Sequence, residues 1–176
     1  MRKLVISSAL ILSAGMASAQ APQATDGPGP NMVIEVADAS GATKGTIVLD
    51  LLPEKAPKHV ERLVTLAKQG AYDGVVFHRV IDGFMAQTGD VQHANMEKGW
   101  DARRAGTGGS DLPDLPAEFS RLPHARGTIG AARSQNPNSA NSQFFINFKD
   151  NSFLNGQYTV YGRVMSGMEH VDKTRP

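Results

Sequence analysis

The chain has 176 residues, with 18 Lys and Arg against 17 Asp and Glu and a formal net charge of +1. So even a balance gives no electrostatic case for nucleic acid or an anionic membrane as partner. Cysteine is absent, which excludes disulfide frameworks, thiol nucleophiles, thiolate metal sites and an acylated N-terminal cysteine.

The N-terminus reads as a targeting segment. Arg2 and Lys3 precede the apolar run Leu4–Gly15, and Ala17-Ser18-Ala19 forms a small-residue cleavage pattern before Gln20. Residues 1–19 are therefore predicted to be a secretory signal peptide, which points to a periplasmic protein of bacterial type. The run is shorter than the roughly 20 residues that span a bilayer, so no membrane association is expected after cleavage. Gln20–Pro30, with three prolines, two glycines and almost no apolar content, is expected to be a flexible tether. Residues 31–176 then make one domain, large enough to build a core without staples.

Met32–Ala37 and Thr46–Leu52 are β-branched, apolar runs around the turn-rich Asp38–Gly45, which predicts an antiparallel hairpin. Ile47, Leu49 and Leu51 would share one face of its second strand. Pro57 suits a first helical turn, Val60, Leu63, Val64 and Ala67 recur on one helical face, and Gly70 ends the pattern. The spacing predicts a helix over Pro57–Gln69. After the turn Asp73-Gly74, Val75–Ile81 and Phe84–Gln87 read as strands around Asp82-Gly83. Alternation would put Phe77, Arg79 and Ile81 on one face and His78 and Val80 on the other. An arginine beside aromatic surface is a rigid, permanently charged donor with little competing water.

Gln92–Pro116 is polar and aperiodic, a surface excursion of the kind that borders binding sites. Its Gly106-Thr107-Gly108-Gly109 lacks the preceding strand and following Lys-Ser/Thr of a phosphate loop and fits a tight turn bringing backbone to a ligand. Gly127–Ala132, Ser142–Phe148 and Gln157–Met165 read as further strands, with Phe144 and Phe145 on opposite faces. Arg133–Asn141 is a turn cluster, and Met168–Lys173 starts a helix. His59, His93, His124 and His170 show no metal-ligand spacing and read as surface residues. The fold class predicted is mainly β, a closed antiparallel barrel capped by one or two helices.

Four blocks occur in order: Phe77–Asp90 (FHRVIDGFMAQTGD), Gly106–Gly109, Ser142–Ile146 (SQFFI) and Phe153–Gly156 (FLNG). Together they resemble the cyclophilin family of peptidyl-prolyl cis–trans isomerases, over nearly all of Met32–Lys173. Arg133–Ala140 resembles the bacterial branch. Position by position, the resemblance implies Arg79 as the catalytic arginine, with Gln87 holding it and His78 flanking it. It implies that Phe84, Met85, Phe145 and Leu154 grip a proline ring, with Ala132 and Arg133 as the rim for substrate backbone. Phe153 stands where many eukaryotic members have tryptophan and Tyr158 where they have histidine, so weak binding of the family inhibitor cyclosporin is expected. The substrates implied are proline-containing segments of client proteins, acted on by a monomer without cofactor or metal. Relatives continue past the position of Lys173 with a closing strand. Met168–Pro176 holds only a stub, so Met32–Ala37 is expected to keep an open edge.

Overall fold

The computed structural model describes residues 25–174; the signal peptide expected over residues 1–19 lies outside the described residues. The first hairpin is β1 (Asn31–Ala37) and β2 (Thr43–Leu51), paired antiparallel with Ile34 opposite Ile47. Ile47, Leu49 and Leu51 all face inward and are buried. On the opposite face Asp50, also buried, takes two hydrogen bonds from Arg163, through Nε at 3.0 Å and Nη2 at 2.9 Å. The same Nη2 donates to the Thr25 carbonyl, and Leu51 N–H donates to Pro30. Thr25–Pro30, the described part of the expected tether, thus lies along β2.

Helix α1 (Pro57–Lys68) opens with proline at its first turn and buries His59, Val60, Leu63 and Leu66. It has no local side-chain cap. Instead the Glu118 carboxylate accepts from Lys58 N–H at 3.2 Å and His59 N–H at 3.1 Å, a remote anion at the positive end of the helix.

The remaining strands are β3 (Arg79–Ile81), β4 (Met85–Thr88), β5 (Ala94–Asn95), β6 (Gly99–Trp100), β7 (Thr128–Ala131), β8 (Phe144–Asn147) and β9 (Val160–Ser166). A 3-10 turn spans Ser152–Leu154, and helix α2 spans Met168–Asp172. Seven strands form one antiparallel sheet in the order β1-β2-β9-β7-β8-β4-β3, and β5-β6 is a separate ribbon. The barrel expected to be closed is therefore an open half-barrel. Among the described residues β1 pairs only with β2, and the three-residue β3 only with β4, and none of them bridges the two edges.

Two further expectations change. The ladder of the first central strand begins only at Arg79, because Val76 N–H turns away to the Ala94 carbonyl. Phe77 consequently packs with Val80 against the main core, not beside Arg79. The excursion, read as aperiodic, contains the β5-β6 ribbon, tied to Val75 by a bridge to Asn95.

The core lies between the concave sheet and α1, with Leu49, Leu63, Ile129, Phe144 and Ile146 at its centre. Met85, Phe145 and Leu154 form a second cluster. The alternation of side chains along β4 and β8 separates the two, Ala86 and Phe144 pointing to one and Met85 and Phe145 to the other.

Candidate active site: an apolar pocket with a guanidinium at its lip

One row of residues crosses four strands: Arg79 opposes Gln87, Gln87 opposes Phe145, and Phe145 opposes Gly130. Direct cross-strand neighbours stand close enough for their side chains to interact. Arg79 Nη1 donates to Gln87 Oε1 at 3.2 Å, Gln87 Nε2 to Gln143 Oε1 at 2.8 Å, and Gln143 Nε2 to the Gly108 carbonyl at 2.7 Å. At the far end of the row the Phe145 ring lies over Gly130. A Cβ there would meet three of its ring carbons, two of them at 2.7 and 2.8 Å.

The row borders an open groove of about 530 Å³. Met85, Phe145 and Leu154 are its buried floor, with Phe84, Ala132 and Tyr158 packed around them. Arg79 and His78 stand on one side and Arg133 on the other. Ala105, Gly106 and Thr107 close the end, as the glycine turn implied.

Arg79, on edge strand β3, is exposed. It is more open to water than an arginine enclosed by aromatic surface, because no strand lies beyond it. Its guanidinium is nevertheless held toward the groove by Gln87. Phe153, expected in the lining, is outside it: the residue is 62% exposed and its ring packs at a tilt of 34° against Phe84, with centroids 5.5 Å apart.

Two organisers of the site escaped sequence reasoning. Asp90 Oδ1 accepts from the N–H groups of Gln92 (3.1 Å) and His93 (2.8 Å), while Oδ2 accepts from Gly106 (2.7 Å) and Gly108 (3.0 Å). Burial alone would raise this carboxyl, but the four backbone donors hold it below its ordinary value. Gly108 has no room for a Cβ, which would meet Asp90 Oδ1. The other organiser is Gln143, the middle of the amide relay. His78, half-buried against Gly106, has its pKa lowered chiefly by burial, opposed by the negative charge of Asp90.

Of the four histidines read as surface residues, three are not on the surface, and His170 is half-buried. His59, His93 and His124 are buried. His124 stacks on the underside of Phe145 at 5.8 Å and meets Tyr158 edge-on at 6.4 Å. Its Nε2–H donates to the Tyr158 carbonyl at 3.3 Å.

An open antiparallel half-barrel whose outer face carries an apolar pocket, with an anchored guanidinium at its lip and Ala132 and Arg133 along its rim, has the form of a peptide-binding groove. The family described as cyclophilin-type peptidyl-prolyl cis–trans isomerase matches residues 32–175. A probable peptidyl-prolyl cis–trans isomerase of Brucella suis is 55% identical over 170 residues, covering 97% of this chain and 83% of its own length. Peptidyl-prolyl cis–trans isomerase B of Escherichia coli is 36% identical over 139 residues, covering 74% and 79%. Among solved structures, a Cryptosporidium parvum cyclophilin in the presence of the dipeptide Ala-Pro superposes with a TM-score of 0.63 at 28% identity. That match covers 73% of this chain and 78% of the other. A Hirschia baltica cyclophilin gives 0.61 at 27% identity, covering 73% and 63%. The chain belongs to the cyclophilin-type peptidyl-prolyl cis–trans isomerase family.

Proposed function

We propose that the chain accelerates cis–trans isomerisation of X-Pro bonds in flexible protein segments and assists folding in the periplasm. The observation that carries the catalytic part is the Arg79 guanidinium, anchored by Gln87 beside the Met85–Phe145–Leu154 floor. Partial double-bond character puts roughly 18–20 kcal/mol between the two planar forms of a peptide bond. At X-Pro bonds the forms are close in energy, yet they exchange in tens to hundreds of seconds. No nucleophile is needed to lower that barrier. In the twisted amide the proline nitrogen becomes pyramidal and gains a lone pair, which neither planar form has. An N–H of Arg79 directed at that nitrogen stabilises the twisted state selectively. The floor holds the ring still while the acyl side turns. A seated proline also displaces water from around Arg79, which strengthens the donor. His78 flanks the arginine, and Ala132 and Arg133 form the rim along which the substrate backbone lies.

A coupled isomerisation assay on an Ala-Ala-Pro-Phe peptide tests this, with Arg79→Ala as the paired variant. The expected result is a loss of about 10²–10³ in kcat/KM, the scale for removing one transition-state donor. Peptide binding should fall far less. Equal turnover by both proteins would remove the mechanism, and no turnover by either would leave only a module that grips proline-containing segments.

The periplasmic assignment rests on the pattern of residues 1–19. It predicts that the mature protein starts at Gln20 and partitions with the periplasmic fraction; a full-length cytoplasmic product would refute it. Weak cyclosporin binding rests on Phe153, which offers no indole N–H at the groove edge. Inhibition as tight as in tryptophan-bearing members would overturn it. A monomer is expected, with sedimentation velocity as the check.

A further inference from the structure

The groove carries a charge asymmetry that isomerisation itself does not require. Arg79 and Arg133 are among its lining residues, and no Asp or Glu is. Among the described residues, the ion pairs involve neither arginine. Asp90, the carboxylate behind the glycine wall, already accepts four backbone N–H groups and does not face the groove.

Arg133 is fixed. Its guanidinium carbon sits 4.2 Å above the Tyr158 ring centroid. Nη2 donates to the Gln157 carbonyl at 2.6 Å and Nη1 to the Ser134 carbonyl at 2.9 Å. Carbonyl oxygens and a ring face orient a cation without neutralising it. A cation that has already lost its rotamer freedom acts on an incoming charge at little further entropic cost.

Arg79 and Gly130 end a row with three strand gaps between them, about 14 Å at the usual interstrand spacing. Arg133 lies three residues beyond Gly130, on the side of the floor away from Arg79. An extended peptide advances about 3.3–3.6 Å per residue. With a proline on the floor, the side chains within about three residues of it fall under Arg133.

We propose that Arg133 makes the groove selective for acidic segments, so that the substrates are X-Pro bonds with Asp or Glu within about three residues of the proline. This rests on the isomerase reading and names its substrate class. Heptapeptides with a central Ala-Pro and Ala, Glu or Lys at each flanking position test it, in turnover and in equilibrium binding. The Glu peptide should exceed the Lys peptide by about 3- to 10-fold in kcat/KM at one position or more, at about 20 mM salt. The gap should close at about 0.5 M salt. Arg133→Gln should bring the two peptides together, whatever its effect on absolute rate, and Arg133→Lys should retain part of the preference. Equal Glu and Lys peptides in the wild type, or a preference unchanged in Arg133→Gln, overturns the proposal. If Arg133→Gln does not fold, the wild-type salt series decides alone, since a preference that persists at high salt is not electrostatic. Binding ranked Glu over Lys without any turnover keeps the charge selection and sinks the isomerase reading; turnover without ranking does the reverse.

Discussion

Gly130→Ala tests the contact between strand β7 and the pocket floor. A Cβ at Gly130 would lie against the Phe145 ring, with Cε2 at 2.7 Å and Cε1 at 2.8 Å. Ordinary carbon contacts need about 3.5–4.0 Å, and Cζ lies closer still, so the ring must retreat by roughly 1–2 Å. His124 stacks on one face of that ring and Tyr158 stands at its edge. The open direction is outward, into the space a proline would fill. Overpacking of this kind costs about 1–3 kcal/mol, equivalent to about 2–12 °C in Tm for a domain of this size. The same energy charged to proline seating lowers kcat/KM by about 5- to 150-fold. A thermal melt and the coupled peptide assay read both effects. Phe145→Leu in the Gly130→Ala background should return the melting temperature without returning activity, because the smaller side chain clears the methyl but floors the pocket poorly. Wild-type values of Tm and kcat/KM in Gly130→Ala would show that Phe145 does not rest on Gly130.

Gln87→Ala should lower kcat/KM about tenfold, less than loss of Arg79, because the guanidinium remains but is no longer aimed; a variant as active as wild type would break the relay argument. Asp90→Asn leaves the Gly106 and Gly108 N–H groups facing an amide N–H₂, at about 1–3 kcal/mol each. That should loosen the end wall and raise KM more than it lowers kcat, and an unchanged KM would refute it. For folding, burial holds His59, His78 and His124 below their ordinary 6.5. The unfolded chain therefore binds more protons than the native one, and stability should fall as pH drops below about 6.5 toward the lower native values. Asp90 and Glu118, lowered from 3.8 and 4.5, contribute stability above those values that is lost only as pH falls further, through their native pKa values. A Tm flat between about pH 7.5 and 5.5 would contradict the histidine part.

What was legible in the chain was local. The β1-β2 hairpin and α1 follow from periods of two and 3.6, and the opposed faces of Phe144 and Phe145 from alternation alone. What was not legible depends on partners far apart. Glu118 caps a helix that begins about 60 residues earlier, and neither end of that contact carries a mark of the other. Nothing beside Asp90 in the sequence marks the Gly106 and Gly108 N–H groups that reach it from 16 and 18 residues away. The buried histidines were misread for a related reason. A histidine outside any metal spacing is placed on the surface by its polarity, yet an imidazole such as His124, with a partner at each ring nitrogen, packs like an aromatic ring. Val75–Ile81 looked like one continuous strand because β-branched composition records a preference for pleated surroundings, not which neighbour supplies the hydrogen bonds.

His124 joins the core to the chemistry. Its Nε2 must carry the proton, since the Tyr158 carbonyl can only accept. Nδ1 is then the acceptor that faces Asn147 Nδ2 at 3.4 Å. Asn147 Nδ2 also donates to Thr128 Oγ1 at 2.9 Å, and Asn147 Oδ1 accepts from Asn151 Nδ2 at 2.7 Å. Asn151 Nδ2 in turn donates to the Phe84 carbonyl at 3.0 Å. Proton direction along this chain is set from both ends, and protonating Nδ1 would put two donors face to face. The stack behind Phe145 is thus a neutral ring in one tautomer, and the backbone of Phe84 is tied to the same network. A catalyst that works by letting one half of an amide turn needs the other half immobile. This polar layer beneath an apolar floor supplies that immobility, and in the proposed mechanism it keeps the proline nitrogen before Arg79 while the acyl side turns.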